Sequence, residues 1–209
     1  MKITEPMTMA TDYVMGVMAA VLAVRLLRTG AAAGQLSVQL WGGAFVCTAL
    51  ASFLGGTYHG FIQMLAPSAG HALWKGTLFA TGIGSACLLS AAALAGTAGP
   101  TQRTLLAIVV VKLAVYLWWM STHDDFIFVI YDYAPALAGA VAIAWLSRTG
   151  GMTAAVPWLT AGLGVSAVAA LIQALRLAPH PQFNHNDLFH LVQMGALYLL
   201  YRGGMLFKG

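Results

Sequence analysis

The strongest constraint on this chain is a series of apolar stretches, each long enough to cross a lipid bilayer. One helical crossing takes about 20 residues. Only 8% of the residues are charged, against about 25% in typical soluble domains. We therefore predict an all-α, polytopic membrane protein whose residues 1–209 form a single domain of seven transmembrane helices. The predicted spans are 9–28, 37–64, 71–96, 104–122, 125–147, 153–176 and 186–206.

The breaks between the spans are short and contain Gly, Pro or clustered polar residues, as in "GTAGPTQR" and "SRTGGM". Short connections allow only antiparallel neighbours, so the spans should form an up-and-down bundle. No internal repeat is visible, which weakens a transporter interpretation based on inverted repeats. Cys47 and Cys87 each lie alone within an apolar run, which indicates neither a disulfide nor a thiolate metal site.

Basic residues are distributed unequally between the two predicted faces of the bundle. This asymmetry predicts that the N-terminus lies outside and the C-terminus in the cytoplasm, because cytoplasmic loops are enriched in Lys and Arg. On that orientation the cytoplasmic face receives Arg25, Arg28, Arg103, Arg148, Arg202 and Lys208, and the outer face receives Lys2, Arg176 and Lys75.

The first apolar run follows Glu5 and Asp12 and precedes Arg25 and Arg28. This order of charges indicates a retained first span and not a cleaved leader. The expected location is a membrane, of the bacterial inner (plasma) membrane type, with membrane lipids as partners. No basic cluster suggests nucleic-acid binding.

This orientation places every histidine and every acidic residue in the outer half of the bundle. Exposure to water in loops explains some of them, but His59 and His190 lie within apolar helices, where ionisable groups are costly and usually have a partner. The two sets are His59, His71, His123, His180, His185 and His190, and Glu5, Asp12, Asp124, Asp125, Asp132 and Asp187.

Span seven begins with a polar face. Asn186, His190 and Gln193 follow i, i+4, i+7 spacing, and Asp187 lies three residues before His190, so all four can share one side of the helix. Asp187 also has a structural alternative: Asn184 or Asn186 could cap the helix, with Asp187 favoured by the helix dipole in the first turn.

Span two ends with a similar face, on which Ser52 precedes His59 by seven residues. His59 and His190 each lie about one helical turn from the same membrane surface. Because imidazole is a common zinc ligand, we predict that their ring nitrogens approach within about 3–5 Å at an outward-facing cavity. Asn186, Gln193 and Thr57 are expected to add polar groups to that cavity.

Two segments carry a resemblance to a known family. "GGTYHGF", which ends span two, and "NDLFHLVQMG", which opens span seven, resemble the superfamily of alkaline ceramidases and progestin/adiponectin receptors. The resemblance implies a seven-span fold, a zinc ion held by histidines of spans two and seven and, in several members, hydrolysis of lipid amides. It covers the topology of the whole chain, but its motifs match strongly only at His59 and His190.

Other positions depart from the family pattern. Gly55 stands at the position of the span-two serine, with Ser52 and Thr57 as imperfect substitutes. Asn186 stands at the position of the first span-seven histidine, beside His185. His71 lies near the place where the family carries an acid.

A second polar feature lies deeper in the predicted bundle. Lys112 falls in the middle of span four, and Asp132 about two turns into span five, just before Pro135. Adjacent antiparallel spans would bring the two charges to a similar depth, where an unpaired charge is costly. We therefore predict a buried Lys112–Asp132 ion pair, with either a packing role or a proton-relay role.

These observations lead to two main functional hypotheses and a weaker third. The first is a metal-dependent membrane hydrolase that cleaves a lipid amide or ester with a zinc-activated water. The second is a non-catalytic, receptor-like or proton- or small-molecule-conducting protein with no metal. Haem binding by His59 and His190 is the third. For the hydrolase, the predicted metal ligands are His59, His190, His185 and His71, and the predicted catalytic residues are Asp187, Asp125 and Ser52.

Overall fold

The computed structural model describes residues 3–147, 150–180 and 182–208, and this part of the chain forms seven α-helices. Two short 3₁₀ helices, Ile62–Met64 and Thr153–Ala155, accompany them. The prediction of an all-α architecture is confirmed. The helices are α1 Pro6–Ala32, α2 Leu36–Phe61, α3 Pro67–Gly96, α4 Gly99–Thr122, α5 Ile127–Leu146, α6 Val156–Ala174 and α7 His185–Gly204.

Several helix ends follow from local residue chemistry. Proline begins α1 and α3, as Pro6 and Pro67, because its fixed φ suits the first turn and its missing N–H is not needed there. Gly34, in the tight α1–α2 connection, and Gly99, the first residue of α4, have φ of +65° and +62°. Such left-handed backbone favours glycine, since it has no Cβ.

Within the described residues, six helices are long and apolar enough to cross a membrane. They cover Pro6–Ala33, Leu36–Met64, Pro67–Gly96, Gly99–Thr122, Ile127–Leu146 and Thr153–Ala174. Helix α7 is outside this set, because its 20 residues include Asp187, His190, Gln193 and Arg202. The prediction of a membrane protein is consistent with this pattern, whereas seven full spans and the orientation of the termini stay predictions. Lys2 and Arg148, used for that orientation, lie outside the described residues.

The helices alternate in direction, so that the N-termini of α1, α3, α5 and α7 lie at one end of the bundle. Contacts between elements define this end: Glu5 lies against His59 and Lys75 against Asp124. We call it the histidine end. At the opposite end, the backbone N–H of Lys208 donates to the carbonyl of Gly151 at 2.8 Å.

Helices α1, α2, α3, α5, α6 and α7 surround the core, and α4 packs on the outside of α3. In α4 the buried residues are Val109, Tyr116 and Met120, so most of its apolar surface faces outward. The largest fully buried side chain is Trp41, whose indole N–H donates to the carbonyl of Leu200 at 3.0 Å.

Candidate functional site

The interior of the bundle contains a cavity of about 350 Å³ that lies towards the histidine end. Residues from α1, α2, α3, α5, α6 and α7 line it, together with Phe126 just before α5. Most of the lining side chains are apolar, for example Met15, Leu137 and Leu197. Apart from the phenol of Tyr133, its ionisable side chains are Asp12, His59 and His190, which enter from three different helices.

The central polar contact joins α1 to α7. Nε2 of His190 lies 3.2 Å from Oδ1 of Asp12, and the two side chains are 9% and 6% exposed. The other ring nitrogen, Nδ1, lies 3.0 Å from the hydroxyl oxygen of Thr11. Both nitrogens of His190 are therefore engaged, and the ring is held in a fixed orientation at the cavity wall. We call this contact the Asp12–His190 pair.

Asp187 belongs to the N-cap of α7. Asn184 caps the helix by accepting hydrogen bonds from the backbone N–H groups of Asn186 and Asp187 at 2.8 and 3.3 Å. In return, Oδ2 of Asp187 accepts from the backbone N–H of Asn184 at 2.7 Å. The hydroxyl of Thr8 donates to Oδ1 of Asp187 at 2.8 Å, which ties the cap to α1. This is the structural role that the sequence left open as an alternative.

His59 meets a different carboxylate. Its Nδ1 lies 3.2 Å from Oε2 of Glu5. Just beside it, the backbone N–H groups of Thr4 and Glu5 donate to the carbonyls of Gly60 and His59 at 3.0 and 3.2 Å. The segment before α1 is thus bound to the end of α2, which positions His59 at the cavity.

Comparison with known proteins identifies a family for this chain. A family model matches residues 7–208, nearly the whole chain. The chain belongs to DUF6962, a family of unknown function. No curated protein and no solved structure matches it. For this DUF6962 member, functional arguments therefore depend on its own site.

In this DUF6962 protein, five predicted site residues line the same cavity. They come from α2 and α7 and are Ser52, His59, Asn186, His190 and Gln193. Two of them are bound to α6: the side-chain oxygen of Asn186 accepts from Gln173 at 3.0 Å, and Gln193 lies 3.4 Å from Ser166. Helices α2 and α7 therefore both contribute residues to one cavity, whereas the binding or catalytic roles of these residues stay predictions.

The remaining predicted site residues lie elsewhere. His71 is exposed at the start of α3, and Asp125 is exposed between α4 and α5. Thr57 donates to the carbonyl of Phe53 at 2.7 Å, and His185 is the first residue of α7. Neither these four nor Asp187 is among the residues that line the cavity.

The described residues match the zinc site that the resemblance implies only in part. Gly55 provides no donor at the serine position, and the Asp12 carboxylate lies there instead, 3.6 Å from where a Cβ on Gly55 would stand. Asn186 provides an amide in place of a histidine. Within the described parts of the chain, no three His, Cys, Asp or Glu residues form a group able to hold a metal ion, whereas a catalytic zinc usually has three protein ligands.

The predicted ion pair is present outside the cavity. Nζ of Lys112 lies 2.7 Å from Oδ1 of Asp132, which confirms that prediction. Ser85 of α3 bridges the two: its hydroxyl accepts from Lys112 at 2.8 Å and donates to Asp132 in a short hydrogen bond. The pair therefore holds α4 and α5 to α3.

Sequence reasoning missed two charged residues that organise the histidine end. Asp12 was considered for the order of charges at the N-terminus and as one of the outer acids, but not as a site residue, although it lies within an apolar helix as His59 and His190 do. Lys75 was considered only as an outer charge. It donates to the carbonyls of Met120 and His123 at 2.6 and 2.9 Å and lies 2.7 Å from Asp124. Both residues are charges within apolar helices, where a charge is costly unless it has a partner. This was the sequence signal that could have identified them.

Proposed function

We propose that this protein is a receptor-like, intramembrane binding protein for an amphipathic small molecule. The observation on which the proposal depends is the cavity of about 350 Å³, which lies within the size range of small-molecule sites. The Asp12–His190 pair gives it a polar wall near the histidine end, while Leu137 and Leu197 contribute apolar surface. Such a cavity suits a ligand with one polar head and one apolar body.

The arrangement of polar groups favours binding over catalysis. Both ring nitrogens of His190 already contact Asp12 and Thr11, so activating Ser52 or a water would require one of these contacts to break. The amides of Asn186 and Gln193 are held by α6. Groups fixed in this way provide a preorganised polar surface, which lowers the cost of ordering side chains when a ligand binds.

Ligand retention through purification tests this proposal. Replacing Ala170, a half-buried cavity residue of α6, with Phe should fill the cavity and exclude the ligand. Ala114→Phe, on the exposed surface of α4, is the matched control. Mass spectrometry of solvent extracts should find a small molecule retained by the wild type and by A114F, and lost from A170F. Identical extracts from all three proteins would contradict the proposal.

We infer further that the cavity opens towards the outer side of the membrane, as the distribution of basic residues predicts. A reporter fused after Lys208 should then be cytoplasmic, and one inserted after Arg176 should be external. The reverse pattern would assign the histidine end to the cytoplasm and would leave the binding proposal unchanged.

A metal-dependent lipid amide or ester hydrolase is the second proposal. It is supported by Ser52, a buried hydroxyl that shares the cavity with the Asp12–His190 pair, together with the sequence resemblance. Metal analysis of protein purified without chelators, combined with release of fatty acid from amide and ester lipids, tests it. One equivalent of zinc and activity that Ser52→Ala abolishes would favour the hydrolase over the binding protein.

A further inference from the structure

A continuous series of aromatic rings borders the histidine end of the cavity. Successive ring centroids are 6.2 Å apart from His59 to Trp74, 6.3 Å from Trp74 to Phe126, 6.1 Å from Phe126 to Phe189 and 5.5 Å from Phe189 to His190. All five rings line the cavity. We call them the aromatic collar. It is built from α2, α3, α7 and the residue before α5, so only the folded bundle creates it.

The charge of the cavity is one-sided. Among the described residues that line it, Asp12 is the sole acid, and neither lysine nor arginine is present. The nearest lysine on the cavity's α3 wall, Lys75, is occupied by Asp124 and by two backbone carbonyls. An anionic head would therefore meet a carboxylate that only the imidazoles of His190 and His59, and no lysine or arginine, could offset, whereas a cationic head would meet a favourable charge.

We propose that the ligand of this cavity is a lipophilic ammonium compound, with its cationic head between Asp12 and the aromatic collar. Aromatic faces attract ammonium groups through the ring quadrupole, and the attraction is stronger where water is excluded. A carboxylate adds a direct charge contact. Met15, Leu137 and Leu197 then provide apolar surface for the hydrocarbon part. This inference depends on the proposed binding function and names the chemical class of its ligand.

Three probes with the same eight-carbon chain separate the head groups: octyltrimethylammonium, octanol and octanoate. Binding would be measured by calorimetry on the full chain in nanodiscs of zwitterionic lipid, with empty nanodiscs subtracted to remove partition into lipid. The ammonium probe should bind at least about tenfold more tightly than octanol, as expected for a desolvated cation–π and charge contact. Octanoate should bind more weakly than octanol.

Two variants and one matched control connect the selectivity to its proposed source. Asp12→Asn should reduce the preference for ammonium over octanol to less than about threefold, because the charge contact is lost. Asp125→Asn makes the same chemical change at an exposed residue of the same end that does not line the cavity, and it should bind as the wild type does. Phe189→Leu removes one collar ring without removing a charge, and it should weaken the ammonium probe more than octanol.

The outcomes separate this inference from the binding function. Equal binding of the ammonium probe and octanol by the wild type, or tighter binding of octanoate, would overturn the ammonium inference. Retention of a neutral or acidic molecule in the purified protein would do so as well, while leaving the binding function supported. If Asp12→Asn fails to fold, Phe189→Leu decides: an unchanged preference for ammonium in that variant would overturn the role of the collar.

Discussion

The Lys112–Asp132 ion pair gives a prediction in which the two single substitutions have unequal costs. Lys112→Met leaves the Asp132 carboxylate, 8% exposed, with Ser85 as its remaining partner. Removing one partner of a buried pair costs about 3–5 kcal/mol, and because Ser85 still donates we expect about 3 kcal/mol here.

Asp132→Leu should cost less. It leaves the Lys112 ammonium, whose side chain is 22% exposed and borders an open groove on the outer surface of α4. A long lysine stem can move its charge towards the surface, so we expect a loss of about 1 kcal/mol. The double variant strands neither charge and should also lose about 1 kcal/mol.

The free energy of unfolding would be measured by reversible unfolding in mixed micelles, with SDS as the denaturant. The four proteins are the wild type, the two single variants and the double variant. The expected coupling free energy between the two positions is about 3 kcal/mol, the upper end for residues in direct contact. If the losses of the single variants add up in the double variant, the two charges do not stabilise one another. If Asp132→Leu costs as much as Lys112→Met, the argument from lysine mobility is wrong.

Two further predictions concern packing and capping, and both are measured by the same unfolding assay. Gly204→Ala should lose about 2 kcal/mol, because its Cβ would collide with the buried ring of Trp41. Gly164→Ala meets nothing within 4 Å and should be neutral or slightly stabilising, and equal losses at both glycines would refute the packing argument. Asn184→Ala should lose about 1 kcal/mol by removing the α7 cap; no loss would mean that Thr8 and water satisfy the helix end.

The helical architecture could be predicted because membrane helices have a simple sequence signal. Apolar length and short breaks indicated every one of the seven described helices. The Lys112–Asp132 pair was also predictable, since both residues are charges within apolar runs of consecutive helices. The peripheral position of α4 was not predictable, because an apolar helix surface has the same composition whether it faces lipid or protein.

The site was predictable only in part. Periodicity indicated that His59 and His190 belong to one cavity, and capping chemistry gave an even choice for Asp187. The contact between Asp12 and His190 joins residues 178 positions apart, and no local pattern specifies such a pairing. The resemblance also drew attention to α2 and α7, whereas the acid at the Gly55 position comes from α1.

The most direct test of the binding proposal is an experimental structure of the protein purified from its membrane and reconstituted in lipid nanodiscs. It should show density that belongs to no protein side chain within the cavity, with its polar end against Asp12 and the aromatic collar. His190 should lie between Asp12 and Thr11 at distances near 3.2 and 3.0 Å. A cavity closed by its own side chains, or an Asp12–His190 separation above about 10 Å, far beyond hydrogen-bond range, would contradict the proposal.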